Sequence, residues 1–205
     1  MNVNSQFFYD RTKTHLLDSA ETKRLVAEHC LAPIVLAAQT IADTFRAGGK
    51  LLLCGNGGSA ADCQHIAAEL VSLLTQDFKR PGLSAIALTT DSSMLTAYAN
   101  DFGFEGVFAR QVEALGKPGD ILIGISTSGN SKNIIKATES AKEISVKTIA
   151  MTGKTGGLLG SMADIVIPVP STSTQHIQEA HITIGHILCD LIECSLFEGK
   201  LGQQK

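Results

Sequence analysis

Leu51-Leu52-Leu53-Cys54-Gly55-Asn56-Gly57-Gly58-Ser59 is a short apolar run closed by a glycine-rich turn. Continuous apolar runs of this length suit strands covered on both faces. Glycines at their end let the backbone turn sharply and come close to a ligand. The same grammar repeats downstream. Apolar runs at Lys50–Cys54, Ala85–Leu88, Ile121–Ile125, Thr148–Met151 and Ile165–Val169 alternate with helical patterns near 59–74, 92–99, 104–115, 131–143 and 175–197. That alternation predicts an α/β fold, a five-stranded parallel sheet flanked by helices in three layers. Pro168 marks the last run as an edge strand, because it cannot donate to a ladder.

Upstream, residues 4 to 47 read as two helices, with Leu16, Leu17, Leu25 and Val26 at helical steps in the first. Ile34, Val35, Leu36, Ala37, Ile41 and Phe45 follow in the second, and Pro33 fits its first turn. With no repeat or linker, the expectation is one domain over 1–205, with N-terminal helices at 1–47 and an α/β core at 48–198.

Composition narrows the function. The 205 residues carry a formal net charge of -3, so no basic field argues for nucleic acid or an anionic membrane. The longest continuous apolar runs are far too short for a bilayer, and the first residues show no secretory pattern. A cytoplasmic location is expected. The five cysteines, Cys30, Cys54, Cys63, Cys189 and Cys194, are odd in number and show no C-x-x-C spacing, so they form neither a disulfide framework nor a cysteine zinc site, and most read as small buried apolar residues rather than a catalytic thiol.

In parallel sheets, ligands sit at the carboxyl ends of the strands. Two loops there are unusual. Gly55-Asn56-Gly57-Gly58-Ser59 follows the first strand, and as a tight turn alone it would need no ligand. Ser126-Thr127-Ser128-Gly129-Asn130-Ser131 follows the third, with four hydroxyls in six positions at the head of a helix. One Ser or Thr would satisfy a helix cap, so the surplus favours a phosphate monoester. A dinucleotide reading of Gly55-x-Gly57-x-x-Ala60 is weaker. Its acidic partner, Asp91, lies roughly thirty residues on rather than about twenty, and the hydroxyl loop has no role in it.

His65 and Glu69 stand four apart on an otherwise mostly apolar helix and so share a face. They read either as a helical hydrogen bond or as a metal-ligand or acid–base pair. The last helix carries Gln178, Glu179, His181 and His186 amid isoleucines; a lone histidine there is usually a satisfied core residue. Gln178 and His186 are eight apart, about 12 Å along an ideal helix, which relaxes only if Gln178 precedes the first regular turn. Asn100-Asp101-Phe102-Gly103-Phe104 has turn chemistry, with Asp101 able to orient a sugar hydroxyl or a catalytic group if it lies near the site.

Five stretches together resemble the phosphoheptose isomerases of the sugar isomerase (SIS) superfamily over nearly the whole chain. They are Cys54–Ser59, the helix with His65 and Glu69, Asn100–Phe104, Gly124–Ser131, and Ile177-Gln178-Glu179 with His186. The resemblance implies a SIS-type domain and conversion of sedoheptulose 7-phosphate to D-glycero-D-manno-heptose 7-phosphate, towards lipopolysaccharide heptose. It implies a homotetramer with sites at subunit interfaces. It implies substrate contacts from Asn56, Gly57, Gly58, Glu69, Asn100, Asp101, Ser126, Thr127, Ser128, Ser131 and Gln178. Glu69 and His186 would be the acid–base pair working through an enediol, and zinc would be held by His65, Glu69, Gln178 and His186.

Two positions depart from the family pattern: Leu73 and His176 stand where arginines are common, and the stretch before Arg80 is longer. The alternative implied by other members of the superfamily is a non-catalytic SIS tetramer that binds a replication initiator or senses a sugar phosphate. His186, which the initiator-binding relatives lack, favours the enzyme.

Overall fold

A computed structural model describes the backbone of residues 3–201 and the side chains of residues 5–197. Five strands form one parallel sheet: β1 (Leu51–Gly55), β2 (Ala85–Ala87), β3 (Ile121–Ser126), β4 (Lys147–Thr152) and β5 (Ile165–Pro168). The order is β2-β1-β3-β4-β5, with Leu51 opposite Ile121 and Ile121 opposite Lys147. Each lies within a residue or so of its apolar run, and β5 with Pro168 is at an edge, as expected.

The sheet is apolar on both faces because alternate residues point opposite ways. Leu51 and Leu53 join Ile34, Ile41, Ile66, Leu70, Ile184 and Leu188 on one side. Leu52 and Cys54 join Val107, Phe108, Val112, Ile134 and Leu159 on the other. The first face is covered by α2 (Leu31–Arg46), α3 (Gly58–Val71) and α8 (Thr174–Leu201). The second is covered by α5 (Val107–Leu115), α6 (Lys132–Glu143) and α7 (Gly157–Met162). The long α1 (Val3–His29) leans on α8 and leaves Phe7, Phe8, Leu16 and Leu17 exposed.

Several boundaries differ from the sequence reading. α4 (Ser92–Phe102) runs through Asn100 and Asp101, so the expected turn begins at Gly103, where φ is 88°. α3 ends at Val71, so Leu73 lies beyond it rather than one turn below Glu69. α7 was not expected, because six residues rich in glycine show no helical period. α8 continues to Leu201, past the expected end of the core.

The stretch Thr174–Phe197 of α8 has the length and hydropathy of a membrane span. Those properties come from burial instead, since Ile177, Ala180, Ile184, Leu188 and Ile192 are all at most 2% exposed in the core.

β1 and β3 are neighbours although they are not consecutive, so the strand order reverses between them. Their two following loops therefore open side by side at the carboxyl edge of the sheet, where a crevice for ligands is expected.

Candidate active site

The glycine loop is built to let α8 approach. Gly57 adopts φ 55°, ψ -121°, a conformation closed to residues with a Cβ. A Cβ on Gly58 would lie 2.7 Å from the Gln178 amide nitrogen. Gln178 thus rests on the first turn of α3. Asn56 is tied across the crevice: its amide donates to Asn133 Oδ1 at 2.9 Å and accepts from Asn133 Nδ2 at 2.8 Å. Asn133 is buried on α6, so this pair fixes the glycine loop to the hydroxyl loop's helix. Sequence reading missed Asn133, because a lone amide in a helix carries no signal of its partner.

The hydroxyl loop does not cap its helix with side chains. Ser131 precedes α6, but the Ile134 and Ile135 amides both donate to its carbonyl. Its hydroxyl turns inward and lies 3.0 Å from the Ser126 hydroxyl, itself 3.5 Å from that of Ser128. These hydroxyls are therefore held together at the head of α6, as anion binding at a helix N-terminus requires. Thr127 and Ser128 line a cavity of about 270 Å³ with Lys154, Ser171, Thr174 and Ile177. Lys154 adds a cation that sequence reading passed over; its amide donates to Ser171, which holds the two segments side by side.

α3 and α8 bring His65, Glu69 and His186 together. His65 Nε2 lies 2.9 Å from Glu69 Oε1 and 2.9 Å from His186 Nε2. His186 Nε2 is 3.4 Å from Glu69 Oε1. The His65–Glu69 pair is the helical contact expected from its spacing, and His186 closes it from across the interface. Both imidazoles are half-exposed, whereas Glu69 is largely buried and its Oε2 has no hydrogen-bond partner. One face of the cluster is thus open to a ligand. Asp62, one turn before His65, also has a buried oxygen with no partner. Burial pushes its carboxyl up to about 6 against the opposing pull of His65 and His186. The sequence reading did not single it out.

The three donors lie within 4.8 Å of one another, and an N/N/O set with an orphaned carboxylate oxygen suits a zinc ion. Gln178 is inside α8, past its first turn, so the helix does not shorten its 12 Å rise to His186. Its amide meets α3 at Gly58.

Other predicted residues fall as follows. Asn100 and Asp101 are exposed at the end of α4 and bonded to each other at 2.9 Å. No contact described within one copy joins them to the His65 cluster. His181 is the core histidine expected, fully buried and donating to the Thr152 carbonyl at 3.1 Å; burial pushes it down to about 4. Cys54, Cys63 and Cys189 are buried, and burial raises their thiols well above the ordinary range. They are poor nucleophiles.

The fold is of the SIS type, and the SIS domain family matches residues 17–153. The phosphoheptose isomerase of Roseiflexus is 52% identical over 198 residues, covering 97% of this chain and all of that protein. The solved phosphoheptose isomerase of Neisseria gonorrhoeae superposes with a TM-score of 0.86 at 44% identity, covering 91% of this chain and 98% of that one. That of Francisella tularensis gives 0.86 at 41%, covering 90% and 97%. The chain belongs to the phosphoheptose isomerase family.

Proposed function

We propose that the chain, as one SIS domain over 1–205, isomerises sedoheptulose 7-phosphate to D-glycero-D-manno-heptose 7-phosphate for surface-polysaccharide heptose. The observation that carries this reading is the meeting of His65 and Glu69 of α3 with His186 of α8. Ser126, Thr127, Ser128 and Ser131 would hold the phosphate, with Asn56, Gly57, Gly58 and Gln178 along the sugar.

Glu69 would remove a proton from C1 of the ketose and return it at C2. His186 would carry the O1 proton to O2, so that the carbonyl moves from C2 to C1 and no electron is gained or lost. Groups acting in this way are worth about 10²–10⁴ in rate each. His65 orients the Glu69 carboxylate through its 2.9 Å contact. Zinc, where bound, would be held by His65, Glu69 and His186; Gln178, whose amide rests on Gly58, would have to swing towards them to be the fourth donor that the family resemblance implies. Zinc would supply Lewis-acid polarisation of the carbonyl. A non-catalytic sensor would need the phosphate loop but not this cluster.

The exposed Phe7, Phe8, Leu16 and Leu17 of α1 and the exposed Phe102 and Phe104 beside Asn100–Asp101 support a homotetramer. Such an assembly would carry Asn100 and Asp101 to a partner's site. A cytoplasmic location suits a phosphorylated substrate.

The test is an assay of the purified full-length protein with sedoheptulose 7-phosphate, with and without a chelator. Formation of the aldoheptose phosphate is expected. Phosphate-dependent binding without turnover under either condition would overturn the enzymatic reading.

A further inference from the structure

We propose that His15, His176 and Glu179 form a second divalent-metal site, of the kind that takes zinc, which staples α1 to α8. His15 Nε2, on α1, lies 3.6 Å from Glu179 Oε1. His176 Nδ1 lies 3.5 Å from Glu179 Oε2. The two imidazole centroids are 4.6 Å apart, and the three donor atoms lie within 4.8 Å of one another. Ligands of a tetrahedral zinc at ordinary bond lengths stand about 3.3 Å apart, so small side-chain rotations complete the site.

The surroundings have the form of a supported ligand set. The buried Ser19 is the polar neighbour that does most to hold the Glu179 carboxyl below its ordinary range, and Lys23 Nζ donates to Ser19 Oγ at 2.8 Å. Carboxylates that bind metals are usually held by such outer hydrogen bonds. His176 is buried and His15 exposed, so the ion would have a protein wall on one side and a solvent path on the other, with room for a water as fourth ligand.

A simple ion pair explains less. Glu179 needs only one protonated histidine, and two facing imidazoles repel when both are charged. A cation gives both rings' lone pairs a partner. His176 is ten residues before His186, about 15 Å along α8, so this site is separate from the His65 cluster.

The experiment uses full-length protein stripped of metal, with Zn²⁺ or Co²⁺ alone as the probe. His186→Ala, which breaks the active-site cluster, should still bind one ion per chain, and Co²⁺ should show visible bands of a four- or five-coordinate N/O site. Adding His15→Ala should weaken that binding by at least about 100-fold and abolish the zinc-dependent rise in melting temperature. His15→Ala alone should keep isomerase activity. No binding of either ion to His186→Ala at 100 µM free metal (roughly the weakest affinity a built site of this kind would have) would overturn the proposal. So would binding that is unchanged by His15→Ala. Because His15 is exposed, its loss is not expected to unfold the chain, and circular dichroism of both variants checks this.

Discussion

Glu69 offers one carboxylate oxygen to two imidazoles and keeps the other buried without a partner. Its spacing from His65 was legible in the sequence, because positions four apart share a helix face. The closure by His186, across more than a hundred residues, was legible only through family resemblance. Asp62 and Asn133 were not legible: what matters about them is a neighbour on another element.

His181 yields a pH prediction. Its folded-state value, about 4, lies below the ordinary 6.5, so protonation favours the unfolded chain. Both states are neutral above pH 6.5, and stability is lost as pH falls from there towards 4. Over that window the linkage is worth about 3 kcal/mol. Asp62 acts with opposite sign over part of the range, so the comparison must be with a variant that retains it. His181→Gln should be less stable at pH 7.5 but lose about 3 kcal/mol less than the natural chain on moving to pH 4.5. Urea unfolding at both pH values checks this, and equal losses would refute it.

At the scale of elements, the site depends on how α3 meets α8. Arg80 holds that junction. Its guanidinium donates to the carbonyls of Glu69 and Leu70 at 2.8 Å each and to Glu193 Oε1 on α8 at 2.6 Å. The Arg80 and Glu193 side chains are 1% and 7% exposed. One side chain thus terminates α3 and pairs with the helix that carries His186. Arg80→Ala leaves a buried carboxylate unpaired and should cost about 3–5 kcal/mol in urea unfolding. Arg80→Met with Glu193→Leu should recover most of that loss, since an apolar pair of similar volume is often neutral. Failure of the double variant to improve on the single would show that the carbonyl contacts, not the charge, dominate.

The strands were legible as elements because burial on both faces writes them as apolar runs. α7 was not, and the end of α3 was misplaced. There Arg80 returns from outside the helix to satisfy the last carbonyls, a contact that no local pattern encodes.

On the scale of the whole molecule, strand order decides where the chemistry sits. The reversal between β1 and β3 sets the glycine and hydroxyl loops side by side, and the start of α8 meets the first through Gln178 and lines a cavity with the second through Thr174 and Ile177. The exposed phenyl and leucyl groups of α1 should be covered by other copies. Light scattering should give about four times the 21.6 kDa of one chain. Phe8→Asp with Leu17→Asp should yield smaller species with reduced turnover, because Asn100 and Asp101 would no longer reach a partner's site. A natural chain that is monomeric and fully active would refute this.

The claim that Glu69 carries the proton between C1 and C2 is tested most directly by running the isomerisation in D₂O and following solvent deuterium into the sugar by NMR. The natural chain should place deuterium at C2 of the aldose and exchange one C1 hydrogen of the ketose, while Glu69→Gln, with its fold intact, should slow both by about 10²–10⁴. Deuterium entering at an undiminished rate in Glu69→Gln would contradict the account.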